Sequence, residues 1–362
     1  MLASFAVVGC SSDEILEVDV QDEIDPTAVE SAAGADAVRV GALARLNAAT
    51  SGSESLFHLG GLLADEWNNG DSFIARQEID QRVVTPQNNF LTDANRVLHR
   101  TRLAAEQAVE LLAEYNPAAP AYQVAEMHFV QAYIVNLLAE HYCNGLVFST
   151  VIDGREQYGT PGTYVAAFER ALGHANDGLA LITGTTASDV RVRNALAVTR
   201  GRILMNLNRF AEAATAVTGV PTSFQYNVLH SSSQVNAFWT FNNNARRYSV
   251  STAEGVNGLN FATAADPRVP VCVGADVACR AIGVTQAIRD DLSQPLYVQR
   301  MWPARESSVA IVTGAEARML EAEAQLRGGN ATQALATLNA ARATVTGLAP
   351  LADAGTASAR VD

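Results

Sequence analysis

A chain of 362 residues with 48% hydrophobic content can bury one large core or two ordinary ones, which excludes disorder as an account of the whole. A formal net charge of -13, from 25 basic against 38 acidic residues with no Lys/Arg run, repels polyanions and excludes nucleic acid as a natural partner. No uninterrupted apolar stretch approaches the roughly 18 to 20 residues that a membrane-crossing helix needs, so an attachment to a membrane must come from elsewhere.

Residues 1–10 offer one. Leu2 to Val8 is apolar and ends in Val7-Val8-Gly9-Cys10, after which the chain turns polar and acidic. This reads as a lipoprotein signal: small residues admit a peptidase and the Cys10 thiol is acylated, each buried methylene of the lipid contributing about 0.8 kcal/mol. Ser11 and Ser12 follow, with no Asp directly after Cys10, a pattern that points to sorting to the outer membrane. Met1-Leu2-Ala3 lacks the Lys or Arg that opens such a signal, so the start is expected upstream. The alternative for Cys10 is an ordinary cysteine in a short strand. Residues 11–25 read as an acidic tether, and residues 26–362 as a single helical domain.

Within that domain the apolar spacing predicts helices over Val97–Tyr115, Tyr122–Tyr142, Tyr164–Ile182 and Asp189–Leu207, the first stopped by Asn116-Pro117. The second is apolar on more than one side, which implies burial on more than one side. Two turns share a grammar: Asn206-Leu207-Asn208-Arg209 leads into Phe210–Val217, and Gly328-Gly329-Asn330 leads into Ala331–Leu335. Small or amide residues tolerate positive φ there and alanines permit close approach, as in tetratricopeptide-like hairpins. The expected fold is mainly α, a scaffold of such hairpins. Residues 221–303 break the pattern, being rich in Asn, Ser, Gly and aromatics, and read as a loop-rich, ligand-facing insertion.

The candidate ligand-binding residues follow from that insertion. Trp239, Phe241, Asn243, Arg246 and Tyr248 combine aromatic faces with hydrogen-bonding groups, the mixture a binding surface on loops uses. Trp239 is either a stacking platform or, with Phe241, a plug holding the loops on the helices. Trp67 and Asn68, in Asp65-Glu66-Trp67-Asn68-Asn69, sit either in an exposed loop after a helix ending near Leu63 or in a C-cap with a half-buried indole. Trp302, before Pro303, reads as packing. Cys272 and Cys279, with six residues between them in a loop-like segment, suit a disulfide, whereas Cys143 reads as a buried helix thiol. The six histidines are scattered, with no H-E-x-x-H and no paired C-x-x-C, so neither a metal site nor a cofactor is expected. Carboxylate neighbours such as Asp290 and Asp291 or Glu321 and Glu323 lack the geometry of a glycosidase pair, and no G-x-S-x-G, P-loop or dinucleotide fingerprint is present; the chain does not read as an enzyme.

Four phrases taken together resemble the SusD/RagB-like outer-membrane lipoproteins: Val7-Val8-Gly9-Cys10 with Ile15-Leu16-Glu17-Val18; Gln131-Ala132-Tyr133 running to Tyr142 and Gly145; Ala265-Asp266-Pro267-Arg268; and Ala315 to Ala324, then Gly329-Asn330 and Ala334-Leu335 to Arg342. Members of that family continue with a further helix where this chain stops at Asp362, so a missing C-terminal segment is expected. The resemblance implies a tetratricopeptide-like scaffold with a variable ligand surface, acting as the lid of a SusC-like TonB-dependent transporter at the cell surface and delivering oligosaccharides or peptides to it. The competing reading is a tetratricopeptide-like envelope lipoprotein that scaffolds other proteins.

Overall fold

The computed structural model describes residues 29–152, 155–253, 258–353 and 355; Cys10, the signal and the tether lie outside the described residues. Two long-range helices open it. Helix α1 (Ala32–Ser51) is capped by Ser31 and packs on α4 (Asn89–Tyr115), with the short helices α2 (Leu56–Leu63) and α3 (Ile74–Asp80) between them in sequence. Helix α5 (Ala121–His141) buries a nearly continuous run from Ala125 to Ala139, as the all-round apolar sequence requires. It is the axis on which α1, α4, α6 (Tyr164–Leu181) and α7 (Ala187–Asn206) pack.

The helix ends explain why these segments are helices. Thr163 caps α6, and Thr186 with Asp189 forms a capping box on α7, each satisfying the other's backbone N–H. Asn208 at φ 59° turns α7 into α8 (Phe210–Val217), and Gly329 at φ 79° turns α10 (Gly314–Arg327) into α11 (Ala331–Arg342), whose first turn is capped by Asn330. Helices α7, α8, α10 and α11 then pack in succession. The scaffold is therefore mainly α and built of consecutive hairpins, as the sequence indicates.

The loop-rich insertion is tied at its neck by an antiparallel ladder between β4 (Gln225–Val228) and β8 (Val309–Thr313). Everything between leaves the helices and returns to them through that one pair of strands. Within it, β5 (Tyr248–Val250) pairs with β1 (Trp67–Asn69), and β6 (Val271–Val273) pairs with β7 (Tyr297–Gln299). A second hairpin, β2 (Thr150–Ile152) with β3 (Arg155–Gln157), projects before α6. The short helix α9 (Val277–Arg280) carries Cys279, which is disulfide-bonded to Cys272 of β6. Around that bond Val284, Leu296 and Val298 form a small core separate from the main one.

Two expectations need correcting. Cys143 is an exposed thiol, not a buried one, because α5 stops at His141 and Tyr142 is already extended. The segment after Leu63 is neither a loop nor a C-cap: Asp65 turns through φ 56° and Trp67–Asn69 become a strand, recruited by Tyr248–Val250 across some 180 residues of sequence that no local pattern could connect.

Candidate functional site

A cleft of about 510 Å³ opens where α2 and the ends of α5 and α7 meet the insertion. Its back wall is a ladder of rings. Phe238 lies between Trp302, 4.5 Å away, and Trp67, 6.2 Å away, with 20° between the planes in each pair. Trp67 and Phe238 are buried, whereas Trp302, Phe57 and Phe261 are half-exposed and present ring surface to the cleft. The sequence allows this contact at one point on α2: a Cβ on Gly61 would collide with the Trp67 indole. Glycine there lets the ring lie directly on the helix.

Trp302 is held by a second residue of the lining. Its backbone N–H donates to Gln299 Oε1 at 2.7 Å, while Gln299 Nε2 donates to the Trp302 carbonyl at 3.0 Å and to Asn243 Oδ1 at 2.7 Å. The amide thus fixes the aromatic corner from both sides. Behind Phe238 lies the fully buried His58, its ring 4.2 Å away; burial pushes its basicity down to about 3, so it packs there as a neutral ring at physiological pH.

Polar groups also line the cleft. Desolvation raises the Glu66 carboxyl above its ordinary value. His141, at the C-terminal turn of α5, is exposed, and its Nδ1 lies 3.0 Å from the Leu137 carbonyl. Arg202 of α7 is fixed by a two-pronged pair with Glu140 at 2.8 and 2.7 Å. Glu316 stands 3.6 Å further on, its carboxyl pushed up to about 6 by burial, with Arg202 opposing the shift. Aromatic ring surface together with a carboxylate, an imidazole and a guanidinium in one cleft can hold a neutral polyhydroxylated molecule.

The structure redistributes the residues singled out in the sequence. Trp67 lines the cleft, and Asn68 lies half-buried beside it in β1. Trp239 is half-buried in a π-helical turn, Trp239–Asn244, and does not line the cleft; its neighbour Phe238 does. Phe241, Asn243 and Tyr248 are in the core, at 4%, 5% and 1% exposure, so they are corrected from ligand contacts to packing. The reason is Arg76. This buried guanidinium pairs with Glu54 and Asp71 and sits 4.7 Å over the Phe241 ring, so the aromatics face an internal cation. Arg246 is a clip: Nη1 donates to the Ile288 carbonyl at 3.2 Å and Nη2 pairs with Asp290 at 3.3 Å. Trp302, read as packing, lines the cleft. Phe57, Gln299, His141 and Arg202 were missed; the Gly60-Gly61 pair inside an otherwise apolar helix is the signal that marked a close approach there.

No family model matches the sequence, and no curated protein matches it. Solved structures do. A SusD-like carbohydrate-binding protein from Bacteroides fragilis superposes over 92% of this chain and 82% of its own, with a TM-score of 0.65 at 11% identity. Another SusD-like carbohydrate-binding protein, from Bacteroides vulgatus, matches 91% of this chain and 78% of its own with a TM-score of 0.64 at 11% identity. A SusD/RagB family protein from Bacteroides thetaiotaomicron matches 84% and 71% with a TM-score of 0.62 at 15% identity. The fold of this chain is therefore that of the SusD/RagB proteins.

Proposed function

We propose that this chain is a solute-binding protein that captures an oligosaccharide in the cleft between α2 and the insertion. The observation that carries the reading is the half-exposed Trp302 ring, backed by the buried Phe238 and Trp67, in a cleft that Glu66, His141 and Arg202 also line. Two of the structures that share the fold are described as carbohydrate-binding, which supports the same ligand class. In this reading the chain is a lipoprotein of the SusD/RagB family, acylated at Cys10 and held on the outer membrane facing the cell exterior, and it passes its ligand to a SusC-like TonB-dependent transporter.

A glycan array followed by calorimetry on the best binder tests the cleft. Trp302→Ala weakens binding by about tenfold, the scale of one lost aromatic stack, while Trp239→Ala leaves it unchanged. An array without binders, or equal affinity in Trp302→Ala, overturns the assignment. Palmitate labelling that disappears in Cys10→Ala tests the anchor. A pull-down from solubilised membranes that returns a TonB-dependent barrel supports delivery; one that returns envelope proteins without a barrel favours the scaffold instead.

A further inference from the structure

Away from the residues that line the cleft, three potential metal ligands converge. His128 of α5 and His174 and Asp177 of α6 each offer one ligand atom, and these atoms all lie within 4.8 Å of one another. His174 and Asp177 are three residues apart on a helix and so share a face. The third ligand reaches them because α5 and α6 approach closely at Gly178: a Cβ there would meet the Cβ of His128 at 3.0 Å and Leu196 Cδ1 at 2.9 Å. The two imidazoles are 6.3 Å apart between ring centres.

His128 Nδ1 and His174 Nε2 are buried, and no protein atom bonds either of them. Buried ring nitrogens without partners are costly, and the two rings that carry them, with the Asp177 carboxylate close by, form a donor set in search of an acceptor of electron pairs. The nearby cations are already engaged: Arg102 Nη1 pairs with Glu106 at 2.7 Å, and Arg170 lies 5.2 Å over the Phe148 ring. Asp177 is exposed, so the open side of the cluster faces solvent.

We propose that His128, His174 and Asp177 form a binding site for a borderline divalent cation of the zinc class, clipping α5 to α6. Two imidazoles and one carboxylate suit that class over Ca²⁺ or Mg²⁺, which take oxygen donors. Three protein ligands leave a fourth position to water, which makes the site exchangeable. The sequence hides it because the ligands come from two helices, with His128 and His174 46 positions apart.

The test is titration of the chelator-treated full chain with ZnCl₂ by calorimetry, in a Cys10→Ser, Cys143→Ser background so that no thiol outside the disulfide takes part. One saturable Zn²⁺ per chain is expected, with CoCl₂ giving the visible absorption of a low-coordinate site and CaCl₂ failing to compete. His174→Gln and the solvent-facing Asp177→Asn each raise the dissociation constant by about tenfold or more. Asp177 lies at the surface, so its variant keeps the test valid if the histidine variant misfolds. Absence of saturable binding, or affinity unchanged in Asp177→Asn, overturns the proposal. Glycan binding is a separate readout and is unaffected by either result.

Discussion

The helical scaffold and the insertion are held together by different physics. In the scaffold, successive hairpins share long apolar faces and each helix end is settled within a few residues, by Thr186 and Asp189, by Asn208, or by Gly329 and Asn330. In the insertion, strands of three to five residues supply little packing, and the work falls to buried amides. Asn242 donates from Nδ2 to the carbonyls of Tyr248 at 2.7 Å and Tyr297 at 3.0 Å, and its Oδ1 accepts from the Gln299 N–H at 2.8 Å. Asn236 similarly reaches the Ser307 carbonyl at 2.8 Å and receives the Trp239 N–H at 3.2 Å. The same residue types that sequence reasoning assigns to ligand recognition are, in this region, the mortar of the fold.

The seam between the two regions is where the largest effect is expected. Arg76 of α3 is 4% exposed, pairs with Asp71 and Glu54, and carries the insertion's Phe241 on its face. Arg76→Ala strands Asp71, itself 3% exposed, with the more distant Arg247 at 3.4 Å. Loss of about 3–5 kcal/mol in chemical denaturation is expected, the scale for removing one partner of a buried pair. A change below about 1 kcal/mol, as for a surface pair, would show that the seam is wetter than its geometry implies.

Next comes the amide brace. Asn242→Ala leaves two carbonyls and one N–H of the insertion without their partner, for a loss of about 3 kcal/mol. Hydrogen exchange separates the regions: amides of β5 and β7 lose protection while those of α5 keep theirs. If α5 loses protection in step, the insertion and scaffold unfold as one unit and the contrast drawn between them fails.

A smaller, pH-dependent effect belongs to the scaffold. Burial raises the Glu316 carboxyl from 4.5 to about 6 in the folded chain. The native state then binds the proton more tightly than the unfolded state, so this group's contribution is greatest below about pH 4.5 and is lost as pH rises through about 6. The difference of about 1.5 pH units corresponds to about 2 kcal/mol. Glu316→Gln is expected to remove that slope, so that the stability of the variant relative to the parent rises by about 2 kcal/mol between pH 4 and pH 7. A relative stability that stays flat across that interval would place the carboxyl in a more hydrated setting than its position at the start of α10 implies.

The difference between the regions also explains what could be read from sequence. Helices end on local chemistry, and so Asn116-Pro117 stops α4 where expected and Phe210–Val217 is helical as expected. The disulfide is local as well, with Cys272 and Cys279 seven positions apart. The cleft is not local. Phe57, Trp67, Phe238 and Trp302 meet only because β1 pairs with β5 and the neck ladder closes the insertion. Composition locates a region rich in Trp, Phe and Asn, but a buried Phe241 and a cleft-lining Phe238 three positions earlier are alike in composition. What separates them is Arg76, more than 160 positions away.

The smallest effect tests whether the scaffold's ends are as locally determined as this contrast requires. At the start of α7, Thr186 Oγ1 accepts from the Asp189 N–H at 3.2 Å, and the Asp189 carboxylate receives both the Thr186 N–H at 2.9 Å and its hydroxyl at 2.7 Å. These hydrogen bonds also hold the Asp189 carboxyl below its ordinary range. Thr186→Ala removes the cap and is expected to lower stability by about 1 kcal/mol, while Thr186→Ser, which keeps the hydroxyl, restores most of it. The frayed turn is confined to residues before Val192, which is fully buried, so hydrogen exchange should change over the first turn of α7 and nowhere in the insertion. Exchange that spread to β4 or β8 would mean that the neck ladder senses the helix end, and that the two regions are coupled more tightly than their separate chemistry suggests.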